Sequence, residues 1–202
     1  MTKVTIIDYG VGNIASLKNA FAALAISADL SAETKDILRA ERLILPGVGA
    51  FATAMSKLKN RRIDDLIKKK AQDGTPILGI CLGMQLLFTA SDEQGNRPGL
   101  NLIDGCVQHF GTGLKIPHMG WNRIEFARDA SLFSDLNTSP YFYFVHSYYC
   151  LPTEGTDSIA TCMYGFAFCA AINRDNIWGV QFHPEKSRKD GLQLLRNFVT
   201  KT

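Results

Sequence analysis

Three short apolar runs in the first eighty residues, separated by stretches of helical periodicity, leave few folds open. Residues 3–8 hold Val4, Ile6 and Ile7 and give way at once to Gly10 and Gly12. Residues 42–45 end on Pro46-Gly47, and residues 75–80 end on Cys81. Apolar runs of this length, stopped by Gly or Pro, read as buried strands. Residues 13–26 place Ile14, Leu17, Phe21, Leu24 and Ala25 at helical spacing, with Asn13 positioned as a cap. Helical pattern returns over residues 50–71, with a break near Asn60, and over residues 82–88. Strands joined through helices run parallel, and a parallel sheet needs cover on both faces.

The second half reads differently. Residues 91–100 are polar, with two Gly and a Pro, and read as a loop. Strand-like stretches follow at 121–126, 142–148, 159–162, 168–173 and 177–182. A last helix over 188–200 turns Leu192, Leu195, Phe198 and Val199 inward. The expected fold is α/β: a mostly parallel central sheet flanked by helices, with a β-rich second half, in one domain over residues 1–202.

Composition excludes several functions. Hydrophobic residues make up 46% and charged residues 20% of the chain, which fits a packed globular protein rather than a disordered one. The net charge of +3 is too small to point to nucleic acid. The basic group Arg61, Arg62, Lys68, Lys69 and Lys70 also encloses Asp64 and Asp65, so it reads as a solvated helix face. No apolar stretch approaches the ~20 residues of a membrane span. The first apolar run is broken by Asp8, unlike a secretion leader. Five cysteines without CxxC spacing suit neither a disulfide framework nor a zinc site, and reduced thiols fit a cytoplasmic protein. No metal or other cofactor is expected.

One of those thiols stands apart. Gly79-Ile80-Cys81-Leu82-Gly83 follows a predicted strand and opens a predicted helix, the form of a nucleophile elbow with Cys in the Ser position. The flanking glycines remove side chains that a sharp turn would drive together. A thiol at a helix start is favoured as thiolate. A structural Cys between two packing glycines would look the same. Near the C-terminus, His183-Pro184-Glu185 follows an apolar strand. In extended chain i and i+2 share a side, so Glu185 is placed to orient His183 toward a thiol. Together these predict a Cys81–His183–Glu185 triad. Pro46-Gly47-Val48-Gly49 is a third signal, since two glycines let backbone N–H groups turn toward a ligand; a plain turn is the alternative. Cys106, Cys150, Cys162 and Cys169 read as structural, and His109 and His118 have no metal-like partners at useful spacing.

In order and spacing these pieces resemble the class I, triad-type glutamine amidotransferases. The resemblance covers essentially the whole chain. It rests on residues 7–13 (IDYGVGN), 45–51 (LPGVGAF), 79–85 (GICLGMQ), 117–122 (PHMGWN), 144–148 (FVHSY) and 181–187 (QFHPEKS). PHMGWN and HPEKS are similar to the branch that feeds ammonia to a (β/α)8-barrel cyclase in histidine biosynthesis. Related chains of the same chemistry are thought to serve amidotransferases that modify surface-polysaccharide sugars.

The resemblance implies that Cys81 attacks glutamine while His183 moves the proton and Glu185 holds His183. It implies an oxyanion hole from the N–H groups of Leu82 and Val48, on a strand flanked by Gly47 and Gly49. It assigns Gln85, His146, Ser147 and Tyr148 to glutamine binding, and gives His118 a supporting role in its loop. It places Asn13, Met119, Trp121, Asn122, Tyr143 and Lys186 on the face that meets the barrel. Trp121 in the core is the competing reading. In the run Tyr141-Phe142-Tyr143-Phe144, alternation separates the two Tyr from the two Phe, and sequence does not say which pair faces inward.

Overall fold

A computed structural model describes residues 3–202. The first half alternates as expected: β1 (Val4–Ile7), α1 (Ile14–Ala23), β2 (Ala28–Ser31), α2 (Thr34–Arg39), β3 (Arg42–Leu45), α3 (Phe51–Asn60), α4 (Ile63–Gln72), β4 (Ile77–Ile80) and α5 (Leu82–Leu86). After these come β5 (Phe88–Ser91), β6 (Arg97–Pro98), β7 (Ile103–His109), β8 (His118–Phe126), β9 (Tyr141–His146), β10 (Tyr148–Pro152), β11 (Ser158–Tyr164), β12 (Phe166–Arg174), β13 (Ile177–Val180) and α6 (Arg188–Thr200).

The strands pair in the order β2-β1-β3-β4-β13-β12-β10-β7-β5-β6, and β11, β8 and β9 branch off from β12. From β2 to β13 every pairing is parallel. From β13 through β12 and β10 to β7 the pairings are antiparallel, as they are along the branch. The parallel part is therefore the centre of the structure, and the later strands extend it.

Alternation along the central strands sorts their side chains onto two faces. Val4, Ile6, Ile44, Leu78 and Ile80 pack with Leu17 and Phe21 of α1 and Leu195 and Phe198 of α6. Ile7, Leu43, Leu45 and Ile77 pack with Phe51, Leu58 and Ile67 on the opposite side. These positions are almost fully buried, which explains the near-continuous apolar runs.

Several elements differ from the sequence expectation. β2 and α2 were not expected, because β2 is a partly exposed edge strand and α2 buries only Ile37. β7 was missed because Gly105, at φ +138°, interrupts its alternation; a Cβ there would lie 2.3 Å from the Leu151 carbonyl oxygen. The loop expected over 91–100 contains the short strand β6. The strand expected over 142–148 is broken at Ser147, where the chain leaves the β8 pairing and joins β7 and β12. Asn13 stands at the start of α1 but makes no side-chain capping bond. Of the basic group on α4, Lys70 is buried, and its Nζ donates to the Leu38 carbonyl at 3.2 Å.

Gly83 is where β3 and α5 come closest. A Cβ there would sit 1.8 Å from the Leu45 carbonyl oxygen, which is backbone and cannot swing aside. Gly83→Ala is expected to lower the unfolding free energy by ~1–3 kcal/mol or more, read as a drop in the urea midpoint. Gly95→Ala, in open space but at φ +93°, should cost only the ~1 kcal/mol of its backbone strain.

Candidate active site

Cys81 occupies the single residue between β4 and α5, with φ 54° and ψ −112°. Non-glycine residues rarely accept a positive φ, and a sharp strand-to-helix turn is one place that demands it. Its backbone is tied on both sides: Cys81 N–H donates to Val180 O at 2.8 Å, and Gln85 N–H donates to Cys81 O at 3.2 Å. Both flanking glycines are required by close backbone contact. A Cβ on Gly79 would lie 2.7 Å from the Gly83 carbonyl, and one on Gly47 would lie 2.9 Å from Gly83 N. The Gly47–Val48–Gly49 strand is thereby held against the elbow. Tyr9 fixes it from the other side, its hydroxyl donating to Pro46 O at 2.7 Å in a buried bond. Burial, with the nearby Cys81, pushes the Tyr9 phenol far up, so it stays protonated as that donor.

His183 and Glu185 meet as expected, by a different route. β13 ends at Val180, and Glu185 lies in a 3-10 turn, Pro184–Lys186, rather than in extended chain. The turn brings Glu185 Oε1 to 2.8 Å from His183 Nδ1, with both side chains almost wholly buried. Ser187 secures the turn, donating to His183 O at 2.6 Å and accepting from Tyr143 N–H at 3.0 Å. His183 N–H donates to Tyr143 O at 2.9 Å. The remaining ring nitrogen, Nε2, is buried and has no hydrogen-bond partner among the described residues. Burial alone would lower the pKa of this imidazole. The Cys81 thiol and the Glu185 carboxylate outweigh burial and push it up to about 10. The ring therefore holds its proton across the neutral range.

Cys81 and His183 open into one cavity of about 410 Å³. Val48, Gly49, Leu82, Gln85, His146, Ser147 and Tyr148 line it as well. Gln85 Nε2 donates to Tyr148 O and to Gln181 Oε1, each at 3.1 Å, and Gln181 Nε2 lies 3.8 Å from Cys81 Sγ. The sequence reading missed Glu93, Pro117 and Val145, which also line the cavity. Glu93 lies in the polar stretch read as a loop, with no periodicity to mark it. Its Oε2 accepts from Phe51 N–H at 2.8 Å, which anchors the carboxylate at the start of α3.

The expected docking residues divide. Met119 and Trp121 are 62% and 43% exposed, which removes the core reading of Trp121. Register pairs Trp121 with Tyr143 and Arg123 with Tyr141 on the same outer face, while Phe142 and Phe144 are buried. Lys186 Nζ lies 5.5 Å from the Tyr143 ring centroid, and Arg188, missed from sequence, stands 5.1 Å from the Trp121 ring centroid. Asn13 is half-buried. Asn122 turns to the inner face of β8, where its Nδ2 reaches His118 Nε2 at 3.2 Å and Met163 O at 3.0 Å. Among the described residues no cluster of three or more His, Cys, Asp or Glu could hold a metal ion. Burial pushes the Cys162 and Cys169 thiols up to about 12 and raises Cys150 as well, so these three are poor nucleophiles.

A nucleophile on a strained turn, an imidazole poised beside it and a buried carboxylate behind that imidazole constitute a machine for acyl transfer from an amide. The glutamine amidotransferase class-I family model matches residues 5–202. This chain belongs to the class I glutamine amidotransferases. It is 46% identical over 198 residues to imidazole glycerol phosphate synthase subunit HisH of Moorella thermoacetica, covering 98% of this chain and 94% of that protein. It is 48% identical over 201 residues to the subunit of the same name from Sulfurimonas denitrificans, covering 97% of each. Among solved structures, a glutamine amidotransferase superimposes with TM-score 0.77 at 19% identity, covering 96% of each chain. A chain of PurLQS from Thermotoga maritima gives TM-score 0.76 at 17% identity, covering 98% of this chain and 97% of that one. At such identity these two speak for the fold.

If the imidazolium is what favours the thiolate, its removal should move thiol reactivity to higher pH. Iodoacetamide alkylation of Cys81, followed from acid to alkaline pH, is expected to rise ~1 pH unit or more later in His183→Asn than in the parent. Glu185→Gln should shift the same way by less. Superimposable profiles would dissociate the ring from thiol activation.

Proposed function

We propose that this chain is the glutaminase subunit of an imidazole glycerol phosphate synthase, its 202 residues acting as one amidotransferase domain. The observation behind this is the shared cavity, in which Cys81, His183 and the side chains of Gln85, His146, Ser147 and Tyr148 converge. The nearly full-length identity to named subunits of that synthase supports the choice of pathway, histidine biosynthesis, over the sugar-modifying reading.

In this reading glutamine enters with its side-chain amide at the elbow. Cys81 Sγ attacks the amide carbon, and the C=O electrons move onto oxygen. The N–H groups of Leu82 and Val48 stabilise that oxyanion; losing one such donor typically costs ~10²–10³ in rate. His183 gives its proton to the amide nitrogen, and ammonia leaves as the γ-glutamyl thioester forms. A water molecule then loses a proton to His183 and attacks the thioester, releasing glutamate and the thiolate. Glu185 holds the ring in one tautomer and offsets its positive charge. No step needs a metal or a redox group. Glu93 is suited to the α-ammonium of the substrate, because among the described residues it is the one carboxylate that lines the cavity.

Ammonia escaping into water would be protonated and lost as a nucleophile, so a partner must cover its exit. We assign that place to a (β/α)8-barrel cyclase docked on the outer face of β8 and β9. There Met119, Trp121, Tyr143, Lys186 and Arg188 join exposed apolar surface to two cations. Aromatic and Arg residues are the commonest interface anchors. Asn13 contributes from the start of α1, while Asn122 acts from inside the strand.

Glutamate release from glutamine should be slow for the chain alone and rise strongly with the cyclase and its ribonucleotide ligand. Cys81→Ala should abolish it while binding to the cyclase persists. Glu93→Gln should raise KM for glutamine by ~10-fold or more, the range for a hydrogen bond to a charged group. A high basal rate that the cyclase leaves unchanged would refute the partnership, and an active Cys81→Ala would refute the chemistry.

A further inference from the structure

Beneath the glutamine wall lies a chain of hydrogen bonds that the triad does not use. Asn122 Nδ2 reaches both Met163 O and His118 Nε2. His118 Nδ1 lies 3.0 Å from His146 Nε2, and His146 Nδ1 lies 2.8 Å from Tyr148 O. Tyr148 O also accepts from Gln85.

Only one arrangement of protons satisfies every member. Met163 O can only accept, so Asn122 presents its NH₂ group there and toward His118. His118 Nε2 must then be bare, which leaves the His118 proton on Nδ1. That proton goes to His146 Nε2, so the His146 proton sits on Nδ1 and goes to Tyr148 O, which again can only accept. Reversing any link sets two acceptors or two donors face to face. Both rings are therefore neutral. Burial agrees, lowering His118 to about 4 and His146 to about 3. His118 is also clamped flat between Tyr164 and Phe144, with centroids 4.0 and 4.9 Å away.

The far end of this chain is the break between β9 and β10. At Ser147 the chain passes from the β8 pairing to the β7 pairing: Ser147 O accepts from Phe110 N–H at 3.1 Å and Tyr148 takes register with His109, so the histidine chain adds a side-chain bond at the Tyr148 carbonyl to a backbone that β7 already holds on one edge. We propose that His118, acting through His146, is a positioning residue that sets the Ser147–Tyr148 backbone and with it Gln85 for binding glutamine. This rests on the glutaminase reading above. The chain reaches the substrate wall and not the nucleophile, so its loss should raise KM and spare the thiol.

Two variants of one residue separate this role from packing. His118→Phe keeps the flat ring between Tyr164 and Phe144 but removes the donor to His146. His118→Gln abandons the stack but offers an amide N–H to His146 Nε2. With the cyclase bound, KM for glutamine is expected to rise roughly three- to tenfold in His118→Phe and to recover in His118→Gln. In both, kcat and the rate of Cys81 alkylation should change less than KM. The reverse order, Phe mild and Gln severe, would show a packing role and overturn the proposal, as would an unchanged KM in His118→Phe. A second readout does not depend on either variant folding. Nitrogen NMR of histidine-labelled parent protein at neutral pH should show His118 and His146 neutral and protonated on Nδ1. An Nε2-protonated or cationic form of either ring would overturn the proposal. Absence of glutaminase activity in the parent complex would instead overturn the functional reading, and the proposal with it.

Discussion

The site depends first on a contact between backbones. Gly79, Gly83 and Gly47 let β3, β4 and α5 approach more closely than any side chain permits. That closeness brings Val48 and Leu82 to the same cavity as Cys81. It also forces Cys81 into a positive φ, a strain of ~1–3 kcal/mol that the surrounding sheet must hold. Cys81 N–H is bonded to Val180 of the neighbouring strand, and Tyr9 pins Pro46 from β1. The strain is thus distributed over four parallel strands, and the thiol projects from the carboxyl ends of those strands, where open α/β sheets build their sites.

Around that fixed point, environment sets two imidazoles to opposite tasks. His183 and His146 are both buried, and burial alone disfavours charge on either. His183 faces the Glu185 carboxylate and the Cys81 sulfur, and its interactions with both outweigh its desolvation. For His146 burial prevails: the Tyr148 carbonyl favours its charged form too little to offset desolvation, and His118 and His183 disfavour it further. One ring is therefore held protonated beside the thiol, while the other is held neutral between two hydrogen bonds. The neutral ring is also sensitive to acid. Its pKa lies below that of an unfolded histidine, so the stability it supplies is complete above about pH 6.5 and is lost as pH falls toward the folded value of about 3.

How much of this was legible from sequence follows from which residues make local patterns. The elbow could be read because its glycines, strand and helix lie within a few residues of Cys81. His183 and Glu185 could be read for the same reason, although a 3-10 turn rather than extended chain brings them together. Glu93 could not, since its place at the cavity depends on a bond to Phe51, 42 residues away, and not on any periodicity. β2 and β7 escaped notice because edge exposure in one and Gly105 in the other erase the alternation that marks a strand. The two faces of the Tyr141–Phe144 run were predictable as a division, but only the sheet order decided which of them is the core.

That division has a consequence for how an outer surface relates to the cavity. β8 alternates Met119 and Trp121 outward with His118 and Asn122 inward, and β9 does the same with Tyr143 and His146. A single pair of strands therefore carries the outer aromatic face and, at its end, Val145 and His146 of the cavity lining. Pressure on the aromatic face meets a strand whose inner side chains are already fully committed: His118 is stacked between two rings and bonded at both nitrogens. A close-packed and fully bonded layer moves as a unit or not at all. The inner bonds end at Tyr148 O, and the next link, Gln85 to Gln181, ends beside Cys81. The bonds of the inner layer therefore run from β8 to the Gln85 side chain that lines the cavity, and the thiol is approached only through Gln181, whose Nε2 stands 3.8 Å from it.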